Sequence, residues 1–286
     1  MASGYELPVE LRTLEKMFKQ LTYHSGRDSV TVFGDFLTYI LYGFNPAPKP
    51  DPTWKYKKSE TKQFHDMMLE YFTVMDKMVD KRGWYDAFGD FFMAVVGHTS
   101  RQYRGQFFTP HTICDFMAKI ILGERGEYPD TPTITCGAFG RRVIVSDPTA
   151  GSGRLLLAAH ADLCSKEYPN HYMIAEDIDT LCCKMSAINL CMHGCFGEVV
   201  CHDTLLHPDK VVLGYKINEM MHPFPVCPSI RPIDDPGAFV CTTLAREMMK
   251  RHTVDVPADV VPEAGRKSDN KAAKRKQPLQ LELNFL

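Results

Sequence analysis

Three short β-branched runs each end in an aspartate: RVIVSD (142–147), HYMIAED (171–177) and EVVCHD (198–203). The first continues into DPTAGSG (147–153), whose glycines let the backbone turn sharply and approach a ligand with no Cβ in the way. The loop departs from the dinucleotide fingerprint, because the third glycine would fall at position 156, which is Leu156. It departs from the phosphate-binding P-loop as well, since no Gly-Lys-Ser/Thr follows. Asp177 lies 30 residues after Asp147, at the tip of the next run, where a carboxylate can accept from both hydroxyls of a ribose. Asp203 occupies the corresponding tip of the third run and could meet an adenine amino group. Each aspartate alone reads as a helix N-cap; three beside one glycine loop point to a nucleoside-containing cofactor.

Such residues need a scaffold that brings them to one edge. From about residue 140 each short run is followed by a longer helical segment, Arg154 to Lys166 and then Thr180 to His193, the alternation of a parallel sheet with crossover helices. Ligands bind beyond the carboxyl ends of such strands. The first hundred residues are expected to be helical. Phe64, Met67, Met68, Tyr71, Phe72, Met75, Met78 and Val79 form one apolar stripe at three-and-four spacing, and the four prolines of NPAPKPDPTW (45–54) separate it from an apolar segment around Phe33 to Phe44. The sequence thus divides into a helical region (1–100), a cofactor-binding α/β domain (101–255) and a tail (256–286). In that tail AGRKSDNKAAKRKQP (264–278) has almost nothing apolar to bury and is read as flexible and basic.

Composition narrows the classes. With 33 Lys+Arg against 35 Asp+Glu, net charge gives no global attraction to nucleic acid, so such a contact must be local. No apolar run approaches the roughly 18 residues of a membrane span and the N-terminus lacks a secretory pattern, so neither membrane insertion nor export is expected. Ten cysteines then read as reduced thiols in a cytoplasmic chain. Cys191, Cys195 and Cys201, near His193 and His202, straddle a helix end and a strand and are read as thiols, with no metal expected.

GQFFTP (105–110), preceded by DAFGDFF (86–92), and then DPTAGSG, EDIDTLCCKMSAINLCMHG (176–194) and HDTL (202–205) resemble, in this order, the adenine-N6 DNA methyltransferases, specifically the methylation subunits of type I restriction-modification systems. The resemblance implies a Rossmann-like core that binds S-adenosylmethionine through Gln106, Phe107, Phe108, Thr109 and Pro110, through Asp147, Pro148, Thr149, Gly151, Ser152 and Gly153, and through Asp177 and Asp203. It places Asn189 at the family's usual asparagine. DNA is the implied substrate, with a specificity or partner subunit beside it. That family holds a flipped adenine with an Asn-Pro-Pro-Phe/Tyr segment. Here the nearest stretch is Met221-His222-Pro223-Phe224, so Asn218, His222 and Phe224 are the degenerate catalytic candidates. About thirty residues separate Phe224 from the tail, too few for the remaining strands of a complete sheet. Two activities stay open: an adenine-N6 methyltransferase with a divergent catalytic segment, or a non-catalytic cofactor- or DNA-binding module derived from one.

The chain closes with QLELNFL, in which Gln280, Leu281, Leu283 and Phe285 fit a pattern that resembles the bacterial sliding-clamp binding peptide. A bacterial, phage or mobile-element protein working behind a replication fork would use it as a tether. The alternative is a terminal strand. Full-length protein is expected to retain the bacterial clamp in a pull-down at moderate salt, and Phe285→Ala or Gln280→Ala to lose it; equal retention by all three removes the tether.

Overall fold

A computed structural model describes residues 6–45, 55–96, 108–123, 133–135, 141–166, 170–208, 210–219 and 228–245. The tail, the clamp-like peptide Gln280 to Phe285, Gln106, Phe107, and Met221 to Phe224 lie outside the described residues.

The helical expectation for the N-terminal region holds. Helices α1 (Arg12–Ser25), α2 (Ser29–Phe44), α3 (Lys58–Arg82) and α4 (Ala87–Val95) precede α5 (His111–Leu122). Local chemistry sets their ends. The Asp28 carboxylate accepts from the Thr31 amide at 2.9 Å to start α2, and Gly26 and Gly83 take left-handed backbone to stop α1 and α3. The apolar stripe of α3 turns inward: Phe64, Met67, Tyr71, Met75 and Met78 are buried. Tyr71 stacks on Phe88 of α4 with centroids 4.4 Å apart.

The alternating part forms the expected units. Strand β1 (Thr133–Thr135) is followed by β2 (Arg141–Asp147), α6 (Arg154–Ser165), β3 (His171–Asp177), α7 (Thr180–Met192), β4 (Gly197–Cys201), β5 (Leu213–Ile217) and β6 (Ile230–Pro232). They make one sheet in the order β1-β2-β3-β4-β5-β6. Strands β2, β3 and β4 are parallel; β1, β5 and β6 join antiparallel. The third aspartate, Asp203, lies two residues past the end of β4 rather than on its last residue.

Because β2, β3 and β4 follow one another in a single direction, both right-handed crossovers put their helices on the same face. Side-chain alternation records this. Val145, Met173, Ala175, Val199 and Cys201 point into the large core shared with the helices, and Ile144, Tyr172, Ile174 and Val200 point into a small second cluster closed by Phe239 and Cys241. The large core runs without a break from Leu11 to Ile230, so the helical region and the sheet fold around one interior. Among the described residues no helix is long and apolar enough to cross a membrane.

The junction between the two regions is ionic. The Arg154 guanidinium, on the first residue of α6, sends Nε to Asp86 and one Nη to Asp90, both at 2.7 Å, with all three side chains buried. Asp86 also accepts from Ser152 Oγ (2.5 Å), Asn189 Nδ2 (2.7 Å) and the Gly89 amide (2.7 Å). Burial alone would raise its pKa, but Arg154, the Ser152 hydroxyl and the Gly89 amide together hold it below the usual carboxylate range. An acid depressed in the fold contributes stability above its unfolded pKa and loses it as pH falls through the folded one. Asp86→Ala leaves Arg154 with half its charge partners, so urea unfolding at neutral pH is expected to show a loss of about 3–5 kcal/mol. The gap to wild type should narrow in acid.

Candidate functional site

The carboxyl ends of the three parallel strands converge on the glycine loop. Gly151 and Gly153 both have positive φ, 57° and 84°. At Gly153 an added Cβ would also lie 2.6 Å from Ser186 Oγ, so the turn is closed to side chains on two grounds. The Gly151 amide donates to Asp177 Oδ2 at 2.9 Å, and the Ala150 amide donates to the Glu176 carbonyl at 2.9 Å, which lashes the loop across the tip of β3. Thr204 Oγ1 donates to the Pro148 carbonyl at 3.1 Å, joining the segment after β4 to the same loop.

Phe108 packs on Gly151: a Cβ there would lie 3.1 Å from the ring, which also sits 5.8 Å from Phe92. Arg154 Nη1 donates to the Thr109 carbonyl at 3.0 Å. One guanidinium therefore holds the Phe108-Thr109-Pro110 segment, α4 and the glycine loop in register. Arg154 was not among the residues expected from sequence. Its signal is there nonetheless, for a cation on the first residue of a helix opposes the helix dipole and calls for buried acids nearby.

Electrostatically the edge is primed. Asp147 Oδ1 accepts from the Thr149 amide at 3.0 Å, while Oδ2 is sealed from solvent with no hydrogen-bond partner among the described residues. Burial raises the Asp147 pKa, with a further push from the Asp177 charge. Burial likewise raises Asp177, against the opposing pull of the Asp179 and Gly151 amides. Two carboxylates held above their usual range favour a cationic or hydroxyl-bearing ligand. Beside Asp147 lies a cavity of ≈300 Å³, lined by Met117 and Ile121 of α5, Val145 to Thr149 and Leu156 of α6. That is at the lower end of the roughly 300–1,000 Å³ usual for ligand sites, apolar with a polar end.

Asp203 keeps to the same edge, but its Oδ1 accepts from the Leu205 and Leu206 amides at 3.1 and 2.9 Å, building its own turn. Asn189 is a bracing residue: its Nδ2 donates to Asp86 and, at 2.8 Å, to the Ser152 carbonyl.

Asn218 is a correction. It follows β5, whose last residue, Ile217, pairs with Gly197 at the start of β4, so it stands at the end of the sheet opposite Asp147, Asp177 and Asp203. Its amide is spent on structure, donating to the Cys191 and Cys195 carbonyls at 3.1 and 2.8 Å and accepting from the Ser229 amide at 3.0 Å. A left-handed φ of 55°, which asparagine tolerates, marks it as a turn residue. Antiparallel return of β5 along β4 is what carries it away from the reacting edge. The cysteines and histidines between 191 and 202 are likewise dispersed: His193 Nε2 accepts from the Tyr85 amide and His202 bonds Glu176.

A parallel α/β sheet that gathers carboxylates and a glycine turn at its carboxyl edge, behind a docked Phe-Thr-Pro segment, has the arrangement of a site for a nucleoside-containing ligand. Residues 84–222 match the model of the family described as N-6 DNA Methylase. The cofactor of that family is S-adenosylmethionine. The solved structure of a type I restriction-modification methyltransferase subunit from Streptococcus thermophilus is 19% identical, over 71% of this chain and 42% of that one, with a TM-score of 0.33. The chain spans less than half of that subunit's length. No curated protein matches.

Acids whose folded pKa is raised bind their proton more tightly in the fold, so stability is lost as pH rises through the folded pKa. Asp147→Asn keeps the acceptor for Thr149 and removes that charge. The melting temperature of the ligand-free protein at neutral pH should rise, about 2–4 °C for each kcal/mol recovered, and the difference should vanish in acid.

Proposed function

We propose that the chain is the S-adenosylmethionine-binding part of an adenine-N6 DNA methyltransferase of the type I methylation-subunit kind. The observation that carries this is the packing of Phe108 on Gly151 of the loop that follows Asp147, whose buried Oδ2 has no partner among the described residues, with Asp177 bonded to Gly151 alongside. This set fits the cofactor. The ammonium of its methionine part suits Asp147 Oδ2, and its ribose hydroxyls suit the free lone pairs of Asp177. Bound there, the cofactor supplies an activated methyl group on a sulfonium. The chain's residues hold and orient it: Phe108 covers Gly151, and Arg154 fixes Thr109 and α6.

Adenine recognition needs a second contribution. Among the described residues the edge of β2 beyond Val143, opposite β3, carries no paired strand, since β1 reaches only residues 141–143. In doubly wound sheets the strand order reverses beside the glycine-loop strand, and ligands sit at that reversal. Asn218 being committed elsewhere, the acceptors for the adenine amine come from a partner subunit or from Met221 to Phe224. DNA is the substrate in this reading and a specificity subunit the partner; His222 and Phe224 keep their candidacy, and Phe224 offers a ring for stacking.

Calorimetry with S-adenosylmethionine and S-adenosylhomocysteine is expected to show one site, with Asp177→Ala abolishing the heat and the cofactor-dependent rise in melting temperature. No binding of either compound overturns the cofactor reading. Labelled methyl transfer to mixed-sequence DNA, with and without host extract, separates the two activities. Adenine methylation confined to the extract supports a completing partner. Its absence in both, with binding intact, leaves a cofactor-binding module.

A further inference from the structure

At the opposite end of β3 from the cofactor edge, three side chains of metal-ligating type come together. His160 and Cys164 sit one turn apart on α6, and His171 is the first residue of β3, so the set spans the short connection between helix and strand. His160 Nδ1 lies 2.7 Å from His171 Nε2, and Cys164 Sγ lies 3.9 and 3.7 Å from the two ring nitrogens of His160. All three ligand atoms fall within 4.8 Å of one another. We propose that His160, Cys164 and His171 form a binding site for a thiophilic divalent cation of the zinc class, independent of the cofactor site.

The geometry is close to what zinc requires. With Zn–N near 2.0–2.1 Å and Zn–S near 2.3 Å, tetrahedral ligand atoms lie about 3.3 Å (N to N) and about 3.6 Å (N to S) apart. The two imidazoles must separate by about 0.6 Å, and the thiolate must approach by less, within the reach of one χ rotation on α6. Without metal the two rings are joined by a hydrogen bond, in which one nitrogen donates and the other accepts. On binding, the donor ring moves its proton to its other nitrogen and the Cys164 thiol releases one proton to solvent, so each ligand offers a lone pair. Burial, with the neighbouring imidazoles, pushes the His160 pKa down to about 3 and keeps the ring neutral. Exposure of Cys164 gives the ion a way in, and three protein ligands leave a fourth position for solvent.

A second set, Glu176, His202 and Cys241, shows by contrast what a closed cluster looks like. All three residues are buried, and His202 is held on one side by Glu176 at 2.7 Å and on the other by the Pro208 carbonyl at 2.9 Å. The proposed site is open on its Cys164 side.

Cobalt(II) titration of the full-length, metal-stripped protein tests the proposal. One equivalent is expected to produce a thiolate-to-cobalt charge-transfer band, which zinc then displaces. Cys164→Ser, at an exposed position, should fold normally by circular dichroism and lose the band. His160→Ala should weaken binding at least tenfold. The other described cysteines are buried, so a band that persists in Cys164→Ser, or no stoichiometric binding by the wild type, overturns the site. Zinc should raise the melting temperature of the wild type and leave that of Cys164→Ser unchanged. A shift shared by both counts against the proposal too.

Discussion

The buried contact of Arg154 with Asp86 and Asp90 is the constraint on which the rest of the molecule hangs. Charges of this kind are costly to desolvate and are tolerated only when every lone pair and proton finds a partner. Here the partners come from four stretches of chain: the helical region supplies the acids, the glycine loop supplies Ser152, α7 supplies Asn189, and the Phe-Thr-Pro segment supplies the Thr109 carbonyl. None of these can shift without uncovering the others. The glycine loop is thereby fixed by buried groups on separate elements, which is how a rigid scaffold preorganises a site at its surface.

The sheet winds in one direction only. That leaves the helices on one face and a thin cluster, anchored by Glu198, on the other. Glu198 accepts from Lys216 at 2.7 Å, from Tyr172 at 2.9 Å and from the Val240 and Cys241 amides, so a single carboxylate ties β5 and the closing segment to the back of the sheet. Among the described residues the strands around the glycine loop run parallel, and the sheet changes direction at β5.

Much of this was legible in the residues. The run-and-helix alternation after position 140 gave β2, α6, β3 and α7 to within a residue, because period-two burial and a three-and-four stripe leave few alternatives. The inward face of α3 was readable for the same reason. Antiparallel β5 and β6 were not, since a short strand such as LGYKI carries no mark of which side of a sheet it will join, and Asn218 was misplaced in consequence. The ion cluster was hidden differently: Asp86 looks like an ordinary surface charge until the fold removes it from water, and the one mark on Arg154 is its place on the first residue of α6. His160, Cys164 and His171 escaped because their proximity depends on a helix folding back onto its next strand.

The same cluster sets the order in which the chain can acquire its structure. Asp86 waits for Arg154, 68 residues later, and for Asn189, 103 residues later, so its closure is among the most non-local events in the molecule. Contacts of that span are formed late, after the loop-closure entropy has been met by apolar collapse. During synthesis, therefore, α1 to α4 leave the ribosome carrying two acids without their counter-cation, and the helical region can condense but not finish. The glycine loop reaches its braced geometry only when the two ends of the network meet, so its rigidity is a property of the whole fold and not of the local turn.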